Sequence, residues 1–324
     1  MWVALFALGG TVSVAGDTPR LTGSQIVAGV PGLDRLGVRI DVRDGEAVPS
    51  SGLTFTKVLD VVDAASRAIA EGAAAAIVLQ GTDTLEETAF LADVVWPHEE
   101  PLVLTGAMRN ASLAGADGPA NVLAAVRVAI APEARGLGAL VVFNDQVHAA
   151  RWVRKTNSTS TAAFVSPNTG PLGHVVEDRV RVLAAPPLRE VLPYRRPDTE
   201  RLAATRVAVY TAVLDEDGSV VDDVARNCQG LVVAGFGVGH VAGALAPRLG
   251  EVAARMPVVL TSRTGSGSVA RATYRSPGSE SDLLGRGLID AGLLDPWKAR
   301  VLLRLLLAGG ADRDEIASAF GRWG

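Results

Sequence analysis

The stretch AIVLQGTDTLEETAFLADVV, residues 76–95, decides the fold of this chain. Its first four residues, Ala76–Leu79, are all apolar and predict a strand buried on both faces. Its last part, Leu85–Val95, has the length and apolar spacing of a helix. A polar turn with one glycine joins the two segments. Strand, turn and helix in this order are the repeating unit of a mostly parallel α/β sheet.

The same alternation continues on both sides of this stretch. Short apolar runs predict further strands at Val3–Leu8, Leu102–Thr105, Ala139–Phe143, Val207–Tyr210, Gly230–Ala234 and Val258–Thr261. Longer amphipathic segments predict further helices at Phe55–Ala70, Pro119–Ala129, 296–307 (with Asp295 as cap) and Arg313–Phe320. Ligands on such sheets bind beyond the carboxyl ends of the strands, so the residues that follow each strand matter most.

Between Leu183 and Thr205 the alternation stops, and four prolines and many charges follow one another. This composition is typical of a linker between domains. We therefore predict two α/β domains. A larger N-terminal domain at 1–185 has a mostly parallel sheet with flanking helices, 186–205 is a linker, and 206–324 is a smaller C-terminal parallel-sheet domain.

Composition excludes several classes of protein. The 324 residues are 48% hydrophobic and 20% charged, with a net charge of −4 and no basic run, which argues against nucleic-acid binding. No apolar run reaches the ~20 residues of a membrane span. The apolar start, Met1–Leu8, lacks a basic region and is interrupted by glycines, so we interpret it as a strand and expect a cytoplasmic protein. The one cysteine, Cys228, is interpreted as a buried apolar residue.

Motifs for bound cofactors are missing from the sequence. It has no GxxxxGK[ST] loop, no HExxH and no paired CxxC, and its four histidines are scattered. The glycines at 235, 237 and 239 have the spacing GxGxG, which favours close backbone packing over dinucleotide binding. We therefore expect neither a metal nor an organic cofactor.

Hydroxyl groups follow two of the predicted strands. Thr11 comes after a strand and two glycines, which allow a sharp turn with bare N–H groups. Thr82 and Asp83 lie between a strand and a helix. Thr84 and Glu87 have the spacing of a capping box, which leaves Asp83 available for a ligand ammonium group.

Lysine is rare in this chain, which has three lysines and 28 arginines. Arginine keeps its proton in proteins, whereas a desolvated lysine can act as a base. Lys155, in the polar run RKTN, is therefore a candidate base. Lys57 and Lys298 are interpreted as ordinary surface lysines.

The combination of motifs is similar to one known family. LGGTV at 8–12, QGTDTLEETAF at 80–90, KTNST at 155–159, GLVVAGFGVGH at 230–240 and GLLDPWKARVLL at 292–303 occur in the order found in bacterial two-domain L-asparaginases. The resemblance covers nearly the whole chain. It implies hydrolysis of L-asparagine to L-aspartate and ammonia through a threonine nucleophile and an aspartyl ester, with weak glutaminase activity. It also implies a homodimer or homotetramer.

The resemblance also implies roles for individual residues. Thr11 matches the nucleophile, and Thr82, Asp83 and Lys155 match the second group, in which the lysine helps to activate a threonine hydroxyl. Asp83 also matches the position that holds the substrate α-amino group. The α-carboxylate position falls at Ser50, with Ser51 beside it. Backbone N–H groups of the glycine loops, at Gly10 and Gly81, would stabilise the oxyanion.

The sequence departs from the family pattern at several positions. Ser13–Val30 contains no tyrosine, although relatives use one there to activate the first threonine; Thr18 or Tyr274 are candidate substitutes. Gln80 replaces a histidine. His240 stands where a neighbouring subunit supplies an asparagine, and Glu280 or Tyr274 are candidates for the other intersubunit residue. The alternative hypothesis is a non-catalytic protein that binds or senses aspartate or asparagine.

Overall fold

Two α/β sheets divide the chain into two units, Met1–Pro193 and Tyr194–Gly324. This computed structural model describes residues 1–14, 21–46, 48–185, 191–192 and 196–324. The predicted fold class, two α/β domains with a larger N-terminal and a smaller C-terminal sheet, is confirmed.

The N-terminal unit alternates strands and helices up to its fifth strand and ends in short strands. Its strands are β1 Trp2–Ala7, β2 Arg39–Asp44, β3 Ala76–Leu79, β4 Leu102–Thr105, β5 Ala139–Phe143, β6 Gln146–Ala149, β7 Arg154–Lys155, β8 Phe164–Val165, β9 Gly173–Val176 and β10 Arg179–Val182. Its helices are α1 Gly23–Ala28, α2 Phe55–Ala70, α3 Leu85–Val95 and α4 Gly118–Ile130.

Eight of these strands form one sheet in the order β10-β9-β6-β5-β4-β3-β1-β2. The five strands from β2 to β5 are parallel, whereas β6, β9 and β10 are antiparallel. The hairpin between β5 and β6 turns at Asn144 and Asp145, both with positive φ, as tight hairpin turns require. Because β1 lies between β2 and β3, the loops after these three strands begin side by side.

The apolar runs of the sequence became the centre of the sheet. All four residues of β3 are buried, and β4 and β5 are buried along their whole length. The bounds predicted for β3, β4, β5, α2 and α3 are confirmed, and the other predicted elements differ by one to three residues at their ends. Burial on both faces explains this success, because such strands must be apolar throughout.

Edge strands were missed by the sequence reasoning. The strand β2 has the sequence RIDVRD and is half exposed, so it lacks the apolar run by which buried strands are recognised. The strand β10, RVRV, alternates exposed and half-buried residues at the other edge. Charged edge strands are common because they prevent pairing with other chains.

The C-terminal unit has a four-stranded parallel sheet in the order β11-β12-β13-β14. Its strands are β11 Val207–Thr211, β12 Gly230–Gly235, β13 Val258–Ser262 and β14 Ile289–Asp290. Its helices are α5 Thr199–Ala204, α6 Val221–Ala225, α7 Leu245–Ala253, α8 Glu280–Gly285, α9 Pro296–Gly309 and α10 Arg313–Trp323. The helix α5 lies inside the stretch predicted as a linker.

Two side chains of this unit correct the sequence interpretation. Lys298 is not a surface lysine: its side chain is 1% exposed, and its Nζ lies 2.8 Å from Asp295 Oδ2. Asp295 caps α9 as predicted, and its carboxylate also accepts from the N–H groups of Trp297 and Lys298. The helix cap therefore provides the negative charge that allows a lysine to be buried. Cys228 is half buried rather than fully buried.

Candidate active site

Three loops with candidate site residues leave the carboxyl ends of the adjacent parallel strands β2, β1 and β3. Ser50 follows β2, Thr11 follows β1, and Thr82 with Asp83 follows β3. In the pairing of β1 with β3, Ala7 lies opposite Leu79, so the loops with the two threonines start at the same level. This is the edge at which parallel α/β sheets bind ligands.

Two glycines allow the loops with the threonines to touch. A Cβ on Gly10 would lie 2.2 Å from Gly81 N and 2.3 Å from Gly81 Cα. Gly10 also has a φ of +92°, which L side chains rarely adopt. Any side chain at Gly10 would therefore separate the segment of Thr11 from that of Thr82.

Ser50 connects the loop after β2 to the loop after β3. It is buried in a short 3-10 turn, Ser50–Gly52, and a Cβ on Gly81 would lie 2.6 Å from its Oγ. Its hydroxyl accepts from the N–H of Asp83 at 3.1 Å and donates to Asp83 Oδ2 at 3.3 Å. Ser51 is exposed, whereas the side chain of Ser50 contacts Asp83.

The predicted capping box at the start of α3 is wrong. Thr84 is the N-cap residue as expected, but its side chain makes no capping hydrogen bond. Its hydroxyl instead donates to Ser50 O at 2.9 Å. The hydroxyl therefore joins two loops of the site, and this long-range partner could not be recognised from local spacing.

Lys155 contacts both candidate side chains of the loop after β3. Its Nζ lies 2.9 Å from Thr82 Oγ1 and 3.4 Å from Asp83 Oδ1. Lys155 is 17% exposed and Asp83 64%, while Thr82 is buried. A lysine within hydrogen-bond distance of a buried hydroxyl is the arrangement that proton transfer to or from a nucleophile requires.

Two buried residues beside this site were not given a role from the sequence. Gln80 is fully buried, and its amide donates to Gly81 O and to Thr88 Oγ1, both at 3.3 Å. Glu86 is buried in the first turn of α3 and accepts from the N–H of Lys155 at 3.2 Å. Glu86 was visible in the sequence only as one of two glutamates at a helix start, which is common.

The three residues considered for an intersubunit role meet in the C-terminal unit. Glu280 is fully buried and accepts from His240 Nε2 at 3.0 Å and from the N–H groups of Thr273 and Tyr274 at 2.8 and 2.7 Å. The rings of His240 and Tyr274 lie edge to face with centroids 4.8 Å apart. Burial disfavours the charge on Glu280, but these hydrogen bonds outweigh it and lower the pKa of its carboxyl group.

The candidates to replace the missing loop tyrosine are Thr18 and Tyr274, and the chain has two further tyrosines, Tyr194 and Tyr210. Thr18 lies outside the described residues, and so does Tyr194. Tyr210 is buried in the core of the C-terminal unit, where burial raises the pKa of its hydroxyl. Tyr274 is half exposed beside His240.

Comparison with known families covers almost the entire chain. Residues 2–188 match the family model described as "Asparaginase, N-terminal", and residues 206–320 match "Glutaminase/Asparaginase C-terminal domain". The chain is thus a two-domain α/β amidohydrolase. It belongs to the asparaginase family.

Individual relatives agree with the family match. A probable L-asparaginase of Deinococcus radiodurans is 35% identical, with coverage of 98% of this chain and 96% of the relative. L-asparaginase 2 of Bacillus subtilis is 31% identical over 99% of this chain and 86% of its own. The crystal structure of a probable cytoplasmic L-asparaginase from Campylobacter jejuni is 30% identical, has a TM-score of 0.86 and covers 98% of both chains.

Cellular location differs among the relatives by name. The Campylobacter jejuni protein is called cytoplasmic, whereas a relative from Haemophilus influenzae, 35% identical over 75% of this chain and 69% of its own, is called periplasmic. Among the described residues of this chain, no helix has the length and hydrophobicity needed to cross a membrane.

Proposed function

We propose that this protein is an L-asparaginase, which hydrolyses L-asparagine to L-aspartate and ammonia. The observation that supports this most directly is the 2.9 Å contact between Lys155 Nζ and Thr82 Oγ1. Its neighbours, Asp83 and Ser50, supply a carboxylate and a hydroxyl, which suit the ammonium and carboxylate groups of an amino acid. The names of the relatives support the same substrate.

The proposed reaction begins with Thr11. Its Oγ attacks the side-chain amide carbon of asparagine, and its proton is transferred to the amide nitrogen, which leaves as ammonia. Water then attacks the aspartyl ester, assisted by Thr82 and Lys155, and Thr11 regains its proton as aspartate leaves. Water needs this help from Lys155 because neutral water, like a neutral alcohol, is a weak nucleophile without a neighbouring base.

Binding of the substrate is assigned to the loops around the threonines. Asp83 binds the α-ammonium group, and Ser50, flanked by Ser51, binds the α-carboxylate. The N–H groups of Gly10 and Gly81 stabilise the oxyanion of the tetrahedral intermediate, and each such donor is typically worth about 3 kcal/mol. Glutamine is one methylene longer than asparagine, which changes binding by only ~1–3 kcal/mol, so we expect weak glutaminase activity.

We further propose that the active enzyme is a homodimer or homotetramer. In this assembly the cluster of His240, Glu280 and Tyr274 of one copy completes the site of another. Its support is that the buried Glu280 carboxylate holds the partly exposed His240 ring, which packs edge to face against the exposed Tyr274 ring. Light scattering on a size-exclusion column tests the assembly, and a monomer with full activity would contradict it.

Domain bounds and location belong to the same proposal. The catalytic domain is assigned to 1–185, the linker to 186–205 and the C-terminal domain to 206–324, supported by the two family matches, which end at 188 and begin at 206.

A cytoplasmic location is supported by the name of the Campylobacter jejuni relative. Fractionation of the cells that produce the protein tests it.

The decisive experiment is ammonia release from L-asparagine by the purified protein and by Thr11→Ala, Thr82→Ala and Lys155→Ala variants. We expect turnover by the wild type and a fall in kcat by about 10²–10⁴-fold in each variant. Lys57→Ala is the matched control, because Lys57 lies in the same unit but pairs with Glu46 at the surface.

The alternative, a protein that binds aspartate or asparagine without turnover, is less well supported. Binding alone needs Asp83 and Ser50 but not a lysine against a buried threonine. A thermal shift with L-aspartate, measured beside the turnover assay, separates the two functions. Binding without release of ammonia from asparagine or glutamine would disprove the asparaginase function.

A further inference from the structure

Lys155 reaches Thr82 from a ribbon outside the large sheet. It lies on β7, which has only two residues and pairs with β8 in a separate two-stranded sheet. In this ribbon Lys155 lies opposite Phe164. The hydrogen bonds of the eight-stranded sheet therefore position the strand that leads to Thr82, whereas Lys155 is carried by the separate ribbon.

A carboxylate links this ribbon to the helix that follows Thr82. Glu86 Oε2 accepts from the backbone N–H of Lys155 at 3.2 Å. Glu86 stands only four residues after Thr82, in the first turn of α3, so the same short segment holds the threonine and the acceptor. The side chain is 8% exposed, and a carboxylate is rarely so buried unless it has partners.

We propose that Glu86 is a positioning residue, which holds the backbone of Lys155 so that its Nζ stays within hydrogen-bond distance of Thr82 Oγ1. The inference rests on the proposed function of Thr82 and Lys155. Glu86 acts through its acceptor oxygen, and its charge is tolerated because the N-terminus of a helix favours anions. Removing the acceptor lets the ribbon shift, and a displacement of 1 Å at a reacting group can reduce the rate by about 10²-fold.

Two substitutions of similar size separate the acceptor from the charge. Glu86→Met removes both, and we expect kcat to fall by about 10²-fold while KM stays nearly unchanged, because Asp83 and Ser50 still bind the substrate. Glu86→Gln keeps a carbonyl oxygen for the N–H of Lys155 and should retain most of kcat. Glu87→Met, in the same helical turn, is the matched control and should resemble the wild type.

A double-mutant cycle tests whether Glu86 acts through Lys155. In a Lys155→Met background, Glu86→Met should lower the remaining rate by less than about twofold, because neighbouring residues of one network are not additive. A purely structural role would instead lower the midpoint of thermal unfolding and add its full effect in both backgrounds. Additive effects, or a Glu86→Gln enzyme as slow as Glu86→Met, would overturn the inference.

A substitute variant covers the case in which Glu86→Met does not fold, and a distance measurement tests the role of Glu86 without relying on the reaction rate. If Glu86→Met does not fold, Glu86→Asp replaces it, since the shorter side chain withdraws the acceptor but keeps the charge. Crystal structures of the variant and the wild type then compare the distance from Lys155 Nζ to Thr82 Oγ1. In the variant we expect this Nζ–Oγ1 distance to exceed 3.5 Å, which is longer than a hydrogen bond. An unchanged distance refutes the role of Glu86 even if the wild type hydrolyses asparagine, and an inactive wild type refutes only the proposed function.

Discussion

The neighbourhoods of Lys155 and Lys298 show two different reasons for retaining a lysine in an arginine-rich chain. Lys298, 1% exposed, ends 2.8 Å from the carboxylate that caps its own helix. Lys155, 17% exposed, ends 2.9 Å from the neutral hydroxyl of Thr82, with the exposed Asp83 further away at 3.4 Å. The amine of Lys298 therefore lies beside a full negative charge at the start of its own helix, whereas the amine of Lys155 lies beside a neutral hydroxyl that follows another strand.

This difference shows what makes a buried lysine a candidate base. A carboxylate that is held by a helix N-terminus favours the charged amine and stabilises the fold. A hydroxyl can instead exchange a proton with the amine, provided that a substrate can reach both groups. We therefore expect substitutions in the two neighbourhoods to separate activity from stability.

Lys155→Met is the first test of this comparison and has the largest expected effect. Loss of the amine beside Thr82 should lower kcat by about 10²–10⁴-fold. The midpoint of thermal unfolding should change little, because no buried carboxylate loses its partner. Steady-state kinetics and calorimetry on the same samples measure both effects. A Lys155→Met enzyme with wild-type kcat would remove the distinction between the two lysines.

Lys298→Met should show the opposite behaviour. It removes the amine that lies 2.8 Å from the largely buried Asp295 carboxylate, and loss of one member of a buried ion pair typically costs about 3–5 kcal/mol of the free energy of unfolding. Chemical denaturation measures this loss, and kcat of the folded fraction should stay close to that of the wild type. The double variant Lys298→Met/Asp295→Asn should recover most of the stability, since it removes both charges and keeps a capping residue. If the double variant were no more stable than the single one, the ion pair would not be the cause.

Gly10→Ala tests whether the site depends on close contact between its loops. The new Cβ would overlap Gly81 N at 2.2 Å, and the resulting displacement of Thr11 should lower kcat by about 10²-fold. Gly72→Ala is the matched control: Gly72 has a similar φ of +96°, but among the described residues, its chain neighbours aside, no atom lies within 4 Å of its Cβ position. It should therefore cost only backbone strain, seen as a small fall in the unfolding midpoint with unchanged kcat. Equal losses of kcat in both variants would contradict the role of the contact.

His148 sharpens the comparison because it is a buried base with a hydroxyl partner but no access to solvent. It is fully buried, and its Nδ1 lies 2.9 Å from Ser166 Oγ. Burial, with a smaller contribution from the charge of His174, lowers the pKa of His148 to about 4. Below pH 6.5 His148 binds a proton in the unfolded chain but not in the folded chain. The free energy of unfolding therefore falls as the pH drops from 6.5 towards 4.

The expected loss from His148 is about 2 kcal/mol between pH 7 and pH 5. Denaturation at a series of pH values measures it, and His148→Gln should flatten that part of the curve. His98→Gln is the control for loss of a histidine elsewhere in the same unit. An unchanged slope in His148→Gln would show that other groups cause the pH dependence.

Elements that must be apolar along their whole length could be predicted from the sequence. The strands β3, β4 and β5 are buried on both faces and were predicted with correct bounds. Prediction from the sequence failed where the pattern depends on remote neighbours. The edge strand β2 has no apolar run, the hydroxyl of Thr84 bonds to Ser50 instead of its own helix, and Lys298 is buried against a cap that looked ordinary.

By itself, the sequence determined the two α/β domains, the strand ends where polar residues gather, and the short set of hydroxyls and one lysine that make up the candidate site. It could do so because burial and local geometry restrict the residues of each element. The tertiary structure alone decided that Lys155 meets Thr82, that Ser50 rather than Ser51 contacts Asp83, and that Glu86 holds the ribbon of Lys155. These contacts join residues 33 to 73 positions apart, and such distances depend on how strands are ordered in a sheet, which no local pattern encodes.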